Sequence, residues 1–127
     1  MEIGWSPVSL TIDARNSPVF STLPHKFTAF HWHGDTFKIP PGAVRIAESE
    51  GCANQAFEYG RVVGLQFHLE YSEKSINLML QNCSDEIVDG KYIQTADEIV
   101  SQISNVREIN KLLNLLLDNI ELEFGKK

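Results

Sequence analysis

The sequence predicts an α/β protein with strands in residues 1–71 and helices in residues 72–124. Three observations carry this. Short apolar and alternating runs punctuated by Gly, Pro and Asn fill the first part. Apolar residues at helical spacing behind Ser and Thr caps fill the second. A length of 127 residues with 43% apolar content suits one core.

The elements follow in order. Residues 2–12 are rich in Ile, Trp, Val and Leu and read as a strand, with Pro7 marking an edge or bulge. Asn16, Ser17, Pro18 and Pro24 mark a loop. Residues 27–37 form a second extended run, broken at Gly34-Asp35, and Pro40-Pro41-Gly42 a turn. Residues 43–47, 55–59 and 62–69 read as further strands, the last two joined by a hairpin at Gly60-Arg61. Ser72 is the expected N-cap of a helix bearing Ile76, Met79, Leu80 and Cys83. Thr95 and Glu98 make a capping box before Ala96, Ile99, Val100 and Ile103, and Asn105 and Glu108 repeat it. The last helix carries Val106, Ile109, Leu112, Leu113, Leu116, Leu117 and Ile120 as its stripe.

Seventeen acids against eleven bases give a net charge of −6, which disfavours nucleic-acid and anionic-membrane partners. The sequence has no run of about eighteen apolar residues for a membrane span and no signal-peptide pattern at MEIGWSPVSL. Two cysteines, Cys52 and Cys83, make no disulfide framework. A cytoplasmic location is expected.

Two constellations offer chemistry. In an extended segment His68 and Glu70 share a face, with Cα atoms roughly 7 Å apart. The carboxylate then orients one imidazole nitrogen and leaves the other as a general base. The plain alternative is a strand-end ion pair. His31 and His33 are spaced to chelate a metal and, with the Pro-Gly turn that follows, are similar to the His-x-His of cupins. A cupin needs a glutamate shortly after the second histidine. Phe37 and Lys38 stand near that place, and Glu48 is too far along. No metal and no cofactor are therefore expected. Neither cysteine shows the Gly-x-Cys-x-Gly spacing of a nucleophile elbow, and Cys83 lies on an apolar helical stripe.

His-Gly-Asp before a Pro-Gly turn, Asn-Gln-Ala-Phe at 54–57 and Gln-Phe-His-x-Glu at 66–70 occur in an order that resembles class I glutamine amidotransferases. The likeness is to the free-standing branch akin to the amidotransferase domain of GMP synthase. It runs from Glu2 to about Tyr71; the helical tail fits less specifically. The resemblance implies the C-terminal part of a flavodoxin-like domain, so that residues 1–127 form a partial domain without the nucleophile-elbow half. It implies catalytic roles for His68 and Glu70 in a Cys-His-Glu triad that hydrolyses the glutamine side-chain amide. It also implies substrate-binding positions at Trp32, His33 and Asp35. The chain alone is then expected to be inactive and to associate, either as a homodimer or with a separately encoded N-terminal half. The competing readings are a cupin-like metal-binding β-protein and a non-catalytic interaction module.

Overall fold

Near-continuous burial from Glu2 to Trp5 identifies the strand around which the sheet is organised. In the computed structural model, which describes residues 2–34 and 36–124, this strand is β1 (Glu2–Leu10). Burial on both faces means that both are covered. β2 (Lys26–His33) lies antiparallel along its whole length, pairing Glu2 with His33 and Ser9 with Lys26. β3 (Val44–Ser49) meets β1 only at Ser9 and Leu10. Pro7 thus sits where β1 is paired on one side, a position that tolerates a missing N–H, as expected of an edge mark. β4 (Cys52–Tyr59) and β5 (Val62–Leu65) complete the order β2-β1-β3-β4-β5. Gly60, at φ 58°, opens the predicted Gly60-Arg61 turn between them.

The sheet curls. Register shifts interrupt the β3–β4 ladder around Ala47, and such irregularities bend the strand that holds them. The Gln66 N–H still donates to Gln55 of β4 at 2.8 Å, yet two residues later His68 exchanges both backbone hydrogen bonds with Phe30 of β2, at 2.8 and 3.3 Å. The chain therefore crosses from the β4 side to the free edge of β2 in a single step. Beside β1, on the side not taken by β2, residues 92–94 run parallel to it: Ile3 donates to Tyr92 at 3.0 Å and accepts from Gln94 at 2.9 Å. Gly4 permits this approach. Its φ is 115°, and a Cβ there would lie 2.4 Å from the Gln94 side-chain oxygen.

Three helices follow: α1 (Glu73–Asn82), α2 (Ala96–Ser101) and α3 (Val106–Phe124). Ser72 caps α1 in a reciprocal box with Ser75, and Thr95 caps α2 in the predicted box with Glu98. Each helix presses an apolar residue on the core: Ile76, Ile99, and Ile109 with Leu116. The Trp5 indole donates to the Ile99 carbonyl at 3.1 Å, tying α2 to β1.

Several expectations change. Residues 11–12 leave the strand for a 3-10 turn (Ile12–Asn16), and β2 ends at His33. β5 stops at Leu65, so His68 and Glu70 lie in a bent segment. α2 is too short for a full stripe: Ile99 is buried while Ala96 and Val100 are exposed. Asn105 belongs to a 3-10 turn (Ile103–Asn105) that runs directly into α3. On α3, Leu117 faces solvent and Leu115 packs against the core.

Candidate active site

The bridge to Phe30 fixes the backbone of His68, and three contacts fix its surroundings. Its Nδ1 donates to Glu70 Oε1 at 2.6 Å. The other oxygen of Glu70 accepts from the Leu69 N–H at 3.0 Å, which holds the carboxylate in place. The Tyr71 ring stacks on the imidazole with centroids 4.5 Å apart. Glu70 thereby sets the tautomer, and Nε2 is the nitrogen left to take a proton. The imidazole is 27% exposed, open enough to meet a reactant. His68 and Glu70 are thus together as the sequence predicted, although local bending rather than strand alternation brings them there.

Trp32 and His33 diverge because successive residues of a strand face opposite ways. Trp32 shares the Phe30 face and donates from its indole to Glu86 at 3.3 Å. His33 lies on the other face with His31, and its Nε2 donates to Glu2 at 2.9 Å. Asp35 lies outside the described residues.

The cysteines have other partners. Cys52 contacts the Thr36 hydroxyl at 3.1 Å. Cys83 caps α1, and partial burial together with a hydrogen bond to Glu86 pushes its thiol up, away from the thiolate. Among the described residues neither hydrogen-bonds His68.

Three contributors were missed in the sequence. Asn110 of α3 donates to the carbonyls of Leu69 at 2.9 Å and Tyr71 at 3.2 Å, clamping both sides of Glu70. Its signal was an amide beside Ile109 on an otherwise apolar stripe. Tyr71, adjacent in sequence to Glu70, has its phenol raised by burial and by the Glu70 charge, and stays neutral beside the imidazole. Glu2, an acid inside an apolar strand, is buried and accepts hydrogen bonds from His33, Gln55 and Ser49.

Comparison with known proteins finds relatives along most of this chain. A family model described as glutamine amidotransferase class-I matches residues 3–86. The putative glutamine amidotransferase-like protein YfeJ of Salmonella typhimurium is 30% identical over 130 residues, covering 99% of this chain and 54% of that protein. A glutamine-hydrolyzing GMP synthase of Latilactobacillus sakei is 29% identical over 109 residues, covering 82% of this chain and 21% of that protein. A crystal structure of a glutamine amido transferase from Methylobacillus flagellatus superposes with a TM-score of 0.84 at 28% identity, over 94% of this chain and 51% of that one. One from Thermotoga maritima gives 0.78 at 34% identity, over 94% and 50%. The chain spans about half the length of YfeJ and of these two solved structures, and less of the GMP synthase. With the family model matching most of its residues, this chain belongs to the class I glutamine amidotransferase family.

Proposed function

We propose that this chain supplies the base half of a glutaminase site, with His68 as proton carrier and Glu70 as its orienting carboxylate. The observation that supports this reading most is the 2.6 Å Nδ1–Glu70 hydrogen bond on a histidine whose backbone is bridged to β2. The reaction runs through a cysteine nucleophile. Its sulfur attacks the carboxamide carbon of glutamine, and His68 Nε2 takes the thiol proton and delivers it to the departing ammonia. Water, deprotonated by the same nitrogen, then cleaves the thioester to glutamate. Throughout, Glu70 stabilises the imidazolium. Trp32 and His33 line the substrate pocket through backbone groups, and Asp35 receives the substrate ammonium. Since Cys83 is held as a thiol and Cys52 is engaged with Thr36, the nucleophile comes from an amidotransferase half outside this chain.

Ammonia release from glutamine tests the reading. The chain alone gives none above background. Adding the N-terminal half of the Methylobacillus flagellatus relative restores turnover, and His68→Ala removes it by a factor on the order of 10²–10⁴. Turnover by the chain alone that disappears on Cys52→Ala would overturn the assignment.

A further inference from the structure

The cupin form of a His-x-His metal site needs a carboxylate, and none follows His33 at the right distance in sequence. The fold brings one from the neighbouring strand, because the β1–β2 register sets Glu2 opposite His33. We propose that Glu2, His31 and His33 form a binding site for a divalent transition-metal ion of the zinc type. The proposal does not depend on the glutaminase reading, and it revises the expectation of a metal-free chain.

Each residue offers a ligand atom within 4.8 Å of the other two. Glu2 is 2% exposed, His31 0% and the His33 side chain 10%. His31 Nε2 donates to the Ser6 carbonyl at 3.2 Å, which leaves the lone pair on Nδ1. That nitrogen faces Glu2 Oε1 at 3.9 Å and has no hydrogen-bond partner. Two electron-rich atoms thus oppose each other in a buried space, an arrangement that a cation between them makes favourable. His33 Nε2 lies 2.9 Å from the same oxygen. Metal–ligand bonds of about 2.1 Å in tetrahedral array put donor atoms about 3.4 Å apart, between these two distances. Closure therefore changes each of these two separations by about 0.5 Å and brings the two ring nitrogens, now within 4.8 Å, to the same spacing.

To ligate through Nε2, His33 moves its proton to Nδ1. That costs no hydrogen bond at Nδ1, which is buried and unpartnered in either form. Ser49 donates to Glu2 Oε2 at 3.0 Å and Gln55 to Oε1 at 2.7 Å, holding the carboxylate as outer-shell donors do. Protonation states agree. Burial pushes the His31 imidazole down, so it is neutral. Burial pushes the Glu2 carboxyl up, but hydrogen bonds from His33 and Ser49 and the neighbouring histidines outweigh it and keep Glu2 ionised. His31 also walls a cavity of about 250 Å³ with Lys91, Tyr92 and Gln94. Two imidazoles and a carboxylate suit zinc and cobalt better than magnesium or calcium.

The test uses the full chain stripped with a chelator and titrated with Zn²⁺ against a chromogenic competitor. One equivalent is expected to bind and to raise the melting temperature, and Co²⁺ is expected to show visible ligand-field bands. His31→Gln and Glu2→Gln should each weaken binding by roughly 100-fold or more, and Ser49→Ala by roughly 10-fold. His25→Ala should leave it intact. The Ser49 variant keeps all three ligands, so it reports even if Glu2→Gln fails to fold. Binding no tighter than that of the His31→Gln chain, or one equivalent that survives His31→Gln and disappears with His68→Ala, would overturn the site.

Discussion

At the scale of single residues, the candidate base and the buried triad behave differently with pH. Glu70 touches His68 directly, so replacing its charge acts on the imidazolium. In the complemented enzyme, Glu70→Gln is expected to lower kcat by a factor on the order of 10²–10⁴ while KM changes little. Glu2 and His31 act on stability. In the unfolded chain His31 takes up a proton as pH falls through about 6.5; the buried ring, pushed down by desolvation, does not. Stability is therefore whole above that pH and declines below it until the folded ring protonates. Glu2 adds to the loss further down: its carboxyl is held below the usual range, so its contribution is present above about pH 4.3 and vanishes as pH falls through the folded value. Urea midpoints in chelator-containing buffer should fall from pH 7 to 4, and His31→Gln should flatten the upper part of the fall. His68 and Glu70 were legible in the sequence because residues two apart need no tertiary contact to meet. Glu2 was not. Its partners are 29, 31, 47 and 53 positions away, as His31, His33, Ser49 and Gln55, and only strand register and curl bring them together.

At the scale of elements, α3 holds the segment around Glu70 through the Asn110 side chain. Asn110→Ala leaves the Leu69 and Tyr71 carbonyls without their donor, and a loss of about 1–3 kcal/mol is expected. Amide exchange in residues 69–71 should quicken more than in α1, a pattern that uniform destabilisation would not give. Gly4→Ala should cost at least as much. It forces a side chain into φ 115° and against Gln94, prising residues 92–94 from β1. Near-ultraviolet dichroism of Trp5, whose backbone N–H donates to the Gln94 side-chain oxygen, reports that separation. Caps were legible at Ser72 and Thr95 because the signal is local. Strand ends were not. A continuous strand-like run at 62–69 gives no sign that pairing passes from β4 to β2 within it, a change dictated by the curl.

At the scale of the whole molecule, the family fold was legible from the order of three motifs, and its extent is matched by solved structures of which it covers half. The exposed apolar side chains include Val62 beside the β5 margin, Tyr59 next to the turn, and Leu117 and Leu122 on α3. Exposed strand margins and apolar side chains recruit partners. The isolated chain is therefore expected to self-associate, and the added amidotransferase half should disperse it into a one-to-one complex. Sedimentation velocity decides this; a monodisperse monomer that binds no apolar dye would show that the fold closes on itself. None of the helices among the described residues is long and apolar enough to cross a membrane.

The crossing of the chain from β4 to β2 also bears on how the protein folds. The contacts that seat His68 join it to Phe30, 38 positions earlier, and those that cover β1 join Ile3 to Ile93, 90 positions later. Hairpins and helices form from neighbours in sequence, whereas these closures must wait until most of the chain is collapsed. The His68 imidazole thus reaches its place only at the end of folding. In refolding from urea, amides of β4 and β5 should gain protection before those of Phe30 and His68, so that a partly folded chain already has its hairpin and still lacks the candidate site.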